Sequence, residues 1–177
     1  MSDTKTRILD LAEALTQTNG FNGFSYIDLA NHMGIKTASV HYHFKKKDEL
    51  AAALVARTHE RHSEGFKAIE NEIASPTARL HALIEYFQRY IEDKKFCLCG
   101  MMAAELQSVS PHVANLVRKY FDDFRTWLKR QFDQAGKKDA DRLALGFLSA
   151  LEGSLLLGRL NDDPKYIADA LQDFVKP

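Results

Sequence analysis

Between Ala30 and Lys47 the chain carries four lysines, Lys36, Lys45, Lys46 and Lys47, and no acid. Among them stand Thr37, Ala38, Ser39, His41, Tyr42 and His43. Lysines neutralise phosphate. Short hydroxyl and imidazole side chains reach base edges, and an aromatic ring packs on sugar and phosphate. The pattern predicts a face for double-stranded DNA, built from Ser25, Lys36, Thr37, Ala38, Ser39, His41, Tyr42, His43 and Lys47. An ordinary helical hairpin with a solvated lysine run would show the same composition, so the spacing of the apolar residues has to decide.

A second chemical feature is Phe96-Cys-Leu-Cys-Gly100. Cys97 and Cys99 follow Lys94 and Lys95 and precede a helix start. Nearby positive charge and a helix N-terminus both lower a thiol pKa and raise its reactivity. The functional reading is a thiol sensor for oxidants, electrophiles or a soft metal. The plainer reading is two small packing residues at the mouth of a cavity. A metal site would need further ligands, with His81 or His112 recruited, and no spacing supports that. His59 and His62 are three apart, but no acidic or cysteine partner lies near them, so they read as a solvated helix face.

The elements that must position these residues are helical. Ser25 N-caps a first short helix, with Asp28 in its first turn. Tyr26, Leu29, Ala30 and Met33 then follow one helical face. Gly34 stops that helix, Ile35 plugs the corner, and Thr37 is the cap candidate for a second helix that buries Val40 and Phe44. This is a helix-turn-helix, and its recognition helix would enter the major groove. Residues 4–19 form a bracing helix with Ile8, Leu11, Ala12 and Leu15 on its buried stripe.

Downstream, a long helix runs from about Lys46 to Ile73, polar and solvent-facing in the middle, over Arg57 to Glu64. Ser75 caps a helix that begins at Pro76. The segment 93–100 reads as a loop, followed by a short helix over 101–108 and a long one from Pro111 to about Ala135. Residues 140–160 are apolar nearly all round, with small residues at Gly146, Ala150, Gly153 and Ser154. A helix apolar on every side must be buried on every side. A chain of this length leaves part of it uncovered, which points to a second copy. Asp163 and Pro164 open a last helix carrying Ile167, Ala170, Leu171 and Phe174. With its predecessor it would form half of a four-helix dimer bundle. No alternating strand pattern occurs, so the fold class is all-α.

Several stretches resemble the DNA-binding domain of TetR-family repressors. They are Thr6-Arg-Ile-Leu-Asp-Leu-Ala, Asn19-Gly-Phe, Asp28-Leu-Ala, Gly34-Ile and above all Ala38-Ser-Val-His-Tyr-His-Phe-Lys-Lys-Lys-Asp-Glu-Leu50. The resemblance covers about the first fifty residues. It departs at His41, where the family usually has tyrosine, and at Lys45, often proline. It implies a DNA-binding domain over 1–47, a ligand-binding and dimerisation domain over 48–177, and a dimer made by the last two helices. It also implies a small-molecule pocket, for which Phe87, Tyr90, Tyr120 and Phe124 are the candidates among the aromatic residues of two neighbouring helices. Cys97-Leu-Cys-Gly-Met-Met-Ala-Ala-Glu-Leu106 is similar to a branch that includes regulators of electrophile and small-acid detoxification.

Composition bounds the rest. Lysine and arginine total 24, aspartate and glutamate 24, so net charge is zero and only the local lysine cluster favours DNA. No apolar run approaches the roughly 20 residues of a membrane span, and the N-terminus lacks an apolar signal region, so a cytoplasmic, membrane-free protein is expected. Two cysteines build no disulfide framework. No phosphate-binding glycine loop, Gly-x-Ser-x-Gly or His-Glu-x-x-His occurs, and neither an enzyme activity nor a cofactor or metal is expected. The sequence reads as a ligand- or thiol-responsive repressor that binds a palindromic operator as a homodimer. The competing class is a helical thiol-redox or metal-binding protein with a vestigial DNA-binding motif.

Overall fold

The computed structural model describes residues 3–176, and among them there is no strand. Nine α-helices follow in order: α1 Thr4–Asn19, α2 Tyr26–Met33, α3 Thr37–His43, α4 Lys47–Glu72, α5 Pro76–Glu92, α6 Leu98–Ala104, α7 Pro111–Gln134, α8 Ala140–Asn161 and α9 Lys165–Leu171. Short 3-10 turns stand at Phe21–Gly23, Leu106–Ser108 and Gln172–Phe174. The chain divides into two compact units, Met1–Glu60 with Leu98–Arg118, and Arg61–Cys97 with Lys119–Pro177.

In the first unit the apolar stripe of α1 buries Ile8 and Ala12 completely. Leu11 and Leu15, expected on that stripe, are only half-buried, and Glu13, Thr16 and Gln17 are buried instead. Two of these polar side chains have partners: the Thr16 hydroxyl donates to the carbonyl of Ala12 at 2.7 Å, and Glu13 faces the Arg57 guanidinium at 3.7 Å. Leu29, Ala30, Val40, Phe44, Leu50 and Leu54 complete this core.

In the second unit Phe87, Tyr120, Phe124, Phe132 and Phe147 fill the interior. Ser75 caps α5 as expected, accepting from the Ala78 N–H, with Pro76 in the first turn. Helix α8 packs on α9 and α5. Its other flank is bare: Leu145, Leu156, Leu157 and Leu160 are exposed. By length and composition α8 is long and apolar enough to cross a membrane, against the expectation drawn from unbroken apolar runs, and 39% of its most apolar window is buried within the chain. In α9 Ile167 and Leu171 are buried, but Ala170 is exposed.

Two expectations need correcting. The middle of α4 is not solvent-facing throughout, since Thr58 and His62 are buried. Also, α6 starts at Leu98 rather than Met101. Leu98, Cys99 and Met102 share its buried side, which draws the cysteine segment into the helix.

Candidate nucleic-acid interface and the regulatory core

The recognition hairpin is held by local bonds. The Ser25 hydroxyl accepts from the Asp28 N–H at 3.3 Å, and the Asp28 carboxylate accepts from the Ser25 N–H at 2.7 Å. This reciprocal box satisfies two of the orphan donors at the start of α2. The Ser25 hydroxyl also donates to the Asp28 carboxylate at 2.7 Å; this bond first, and the backbone bond second, hold the Asp28 carboxyl below the usual carboxylate range, with lesser help from His32 and Lys47. Gly34 closes α2 at φ 65°, a left-handed conformation that glycine takes without cost, and Ile35 N–H returns to the Ala30 carbonyl at 3.0 Å. Thr37 is not the cap of α3. Lys36 holds the cap position with no side-chain bond, and Thr37 is the first helical residue. Its hydroxyl is therefore not spent on capping.

Val40 and Phe44 anchor α3 in the core and turn its other residues outward. Thr4, Ile35, Lys36, Ala38, Ser39, Tyr42 and His43 line a shallow groove of about 370 Å³. Tyr42 is 82% exposed and stands edge-on to His43, with 5.1 Å between ring centres. His41 is exposed and sets its ring against Tyr26 at 4.8 Å. Lys45 and Lys46 are exposed beside it.

Two of the candidate DNA-binding residues have their polar ends engaged within the chain. Ser25 is committed to the capping box. Lys47 turns inward: its ammonium donates to the carbonyls of Phe21 and Phe24, at 2.6 Å each, and lies 4.7 Å from the centre of each ring. Desolvation there pushes its pKa down, against the pull of Glu105 and Asp28. In this structure the Lys47 charge closes the turn between α1 and α2 rather than standing free for a phosphate.

That turn has a second brace that no local spacing reveals. Glu105, more than eighty positions away, accepts from the Asn22 N–H at 2.9 Å, and the Asn22 amide donates to the Ser108 hydroxyl at 2.8 Å. Gly20 at φ 85° lets the carboxylate in; a Cβ at that position would come within 2.3 Å of a Glu105 oxygen. Asp48 likewise accepts from the Ser110 N–H at 3.1 Å. The segment Leu98–Arg118 thus belongs to the same compact unit as the recognition hairpin.

In the second unit three of the four candidate pocket residues, Phe87, Tyr90 and Tyr120, contact a buried histidine, and Phe124 packs on Phe87 and Tyr120. His62 contacts the Tyr120 hydroxyl through Nδ1 at 2.8 Å and the Tyr90 hydroxyl through Nε2 at 3.2 Å. Tyr86 joins Tyr90 at 3.3 Å between hydroxyls. Phe87 stacks on Phe124 at 6.0 Å, and Trp127 stacks on Phe66 at 4.7 Å with its indole N–H buried and without a partner. Burial raises the Tyr90 phenol pKa strongly, with smaller contributions from Tyr86 and Cys97. His62, read from sequence as a solvated position, is the hub of this cluster. The signal available was its place three and four residues from His59 and Phe66, which cannot separate a buried from an exposed helix face.

Both cysteines are buried and neither is in a disulfide, Cys97 1% and Cys99 0% exposed. The lysines expected to activate them are directed elsewhere in part: Lys95 pairs with Asp93 at 2.8 Å. The group beside Cys97 is instead an acid, Glu152 of α8. Among the described residues no three His, Cys, Asp or Glu side chains are grouped to hold a metal ion.

Residues 8–54 match the model of bacterial regulatory proteins of the tetR family, and residues 76–172 match that of the transcriptional regulator LmrA/YxaF-like C-terminal domain. Among solved structures, a TetR transcriptional regulator from Legionella pneumophila is 33% identical, with a TM-score of 0.92 over 98% of this chain and 96% of that one. A TetR-family regulator from Agrobacterium tumefaciens is 28% identical, with a TM-score of 0.92 over 97% and 95%. A transcriptional regulator from Saccharomonospora viridis, crystallised in complex with choline, is 20% identical, with a TM-score of 0.83 over 99% and 96%. No curated protein sequence matches the chain.

Proposed function

Since the chain belongs to the TetR family of bacterial transcriptional regulators, we propose that it represses transcription by binding a palindromic operator as a homodimer and leaves the DNA when a small effector binds. Residues 1–47 are the DNA-binding domain in this reading, and 48–177 bind the effector and the second copy. The observation that carries it is the groove on α3. A capped, well-anchored hairpin presents Lys36, Ala38, Ser39, Tyr42 and His43 together and leaves Lys45 and Lys46 free to reach phosphate. Thr37 and Ser39 face bases, and Tyr42 packs on the backbone. The bare flank of α8, with Gly153 among exposed leucines, supports the second copy; half-sites would then lie about 34–36 Å apart. The protein works in the cytoplasm, where its DNA is.

Effector recognition belongs to the aromatic cluster around His62 rather than to the thiols. The lysines expected to activate the thiols do not serve them, since Lys95 pairs with Asp93 and Glu152 stands beside Cys97, whereas the choline-bound relative supports a small organic molecule as the effector type.

The test is a fluorescence anisotropy titration of the protein against DNA from upstream of its own gene and against random DNA, across a salt series. The operator should bind far more tightly. Lys46→Ala should weaken both DNAs alike and reduce the salt slope by about one. Thr37→Ala should weaken the operator selectively. Equal binding of both DNAs by wild type would overturn the reading.

A further inference from the structure

Glu152 is oriented against the usual habit of a charged residue. It lies on α8, half-buried as a residue, yet both carboxylate oxygens are buried, with no nitrogen or oxygen donor on them and only the weak thiol donor of Cys97 alongside. Glutamate heads normally stay in water, and native proteins leave few buried polar atoms unsatisfied. Burial pushes this carboxyl up to about 7, and the Cys97 thiol beside it offsets that only in part. No basic side chain figures among the influences on it.

Three resolutions can be weighed. Protonation alone neutralises the charge but leaves a buried O–H and a carbonyl oxygen still unmatched. A second copy docking on α8 cannot supply the partner, because the oxygens have no exposed surface for its side chains to touch. The remaining resolution is a molecule that enters the unit. Cys97, beside Glu152, also acts on Tyr90, which joins Tyr86 and His62 in the aromatic cluster. The acid thus stands at the edge of that cluster, where Tyr90 and Tyr86 offer rings.

We propose that Glu152 anchors a site for a protonated amine, whose N–H groups bond the two carboxylate oxygens while its organic body lies toward Tyr90 and Tyr86. This rests on the effector-responsive reading above and specifies the chemical class of the effector. A thiol is a weak donor, so the two oxygens still call for N–H donors, which a primary ammonium supplies and a quaternary one does not. Ring faces beside the cation add attraction.

The test uses the full-length protein and isothermal titration with three probes: 2-phenylethylamine, its N-trimethylated form and 2-phenylethanol. The primary amine should bind at least about tenfold more tightly than the other two. Glu152→Gln keeps the shape and removes the charge; Glu152→Met removes both charge and polarity, so a folded variant is assured by one or the other. Each should lose the preference for the amine while its circular dichroism and operator affinity stay as in wild type. The proposal fails if wild type binds the alcohol as well as the amine, if it binds none of the three at millimolar concentration, or if both variants keep the preference. A second arm adds the amine to the operator complex. Amine binding that depends on Glu152 without release of DNA would leave the site standing and sink the effector-release reading instead.

Discussion

Helix α2 begins on a reciprocal pair of side-chain and backbone bonds from Ser25 and Asp28, and ends on a left-handed glycine. Helix α8 begins on Asp139 and ends on Asp162, both in the left-handed region at φ 57° and 53°, and Asp139 makes no side-chain cap. The short helix is fixed by its own sequence neighbours. The long one is fixed by what packs on it, Phe147, Leu151 and Leu155 inside, and its other flank waits bare. Recognition of DNA demands a hairpin whose shape does not depend on occupancy elsewhere. In the proposed reading, the helix with a buried acid and an uncovered apolar flank is the one that answers to a second copy and to a ligand.

The sharpest way to break this comparison is at Gly153. A Cβ built there meets nothing within 4 Å, so a larger side chain leaves the fold of the single chain alone. Gly153→Arg should keep the helical signal and thermal midpoint of an isolated subunit, yet sediment as a monomer. Loss of the second half-site contact should then cost operator affinity on the order of a hundredfold or more, the advantage that tethered binding confers. A stable Gly153→Arg dimer that binds operator would remove residue 153 from the subunit contact, and with it the claim that the bare flank is what the second copy covers.

How far each region could be read from sequence follows from the same contrast. The hairpin was legible because its determinants lie within four positions of one another: Ser25 with Asp28, Gly34 with Ala30, Val40 with Phe44. The extent of α8 was legible too, since an all-round apolar helix is a composition signal, but its open face was not: of the small residues expected there Ser154 is buried and Gly146 faces Phe174, and the exposed residues are Leu145, Leu156, Leu157 and Leu160. What was not legible depends on residues far apart. The burial of His62 requires Tyr90 and Tyr120. The inward turn of Lys47 requires the carbonyls of Phe21 and Phe24, which a lysine run in sequence cannot show. The start of α6 at Leu98 follows from burying Cys99 and Met102 together. Thr37 looked like a cap by residue type, and backbone geometry gave the position to Lys36.

Lys47 offers the next test. If its ammonium braces the turn rather than a phosphate, Lys47→Met should lower stability by about 1–2 kcal/mol, from two carbonyls losing a charged donor in a half-exposed setting. Urea unfolding measures it. The salt slope of DNA binding should stay at the wild-type value, in contrast to Lys46→Ala. A slope reduced by about one in Lys47→Met would return this lysine to the DNA interface.

The smallest effect, and the finest test of the comparison, sets the two helix starts against each other. Ser25→Ala removes the hydroxyl that accepts from the Asp28 N–H and donates to the Asp28 carboxylate, and with it half of the capping box and the larger hold on the Asp28 charge. The freed N–H lies at an exposed position where water can replace the lost bond in part, so the cost should be about 1 kcal/mol, the usual value for a capping serine. Because Asp28 keeps its bond from the Ser25 backbone N–H, some acid-linked stability survives. The Asp28 pKa is depressed in the folded state, so this contribution is present above the ordinary carboxylate pKa and fades as pH falls through the lowered one. The stability gap between wild type and Ser25→Ala should therefore narrow at low pH. Asp139→Asn at the start of α8 should do almost nothing. Its side chain caps no N–H, its pairing with Arg142 at 3.5 Å is a surface ion pair worth little, and asparagine tolerates the left-handed backbone as aspartate does. Urea titrations of both variants at neutral pH and near pH 3 read the difference. Equal losses at the two caps would mean that α8 relies on its own terminus after all, and that the division between a locally fixed and a remotely fixed helix does not hold.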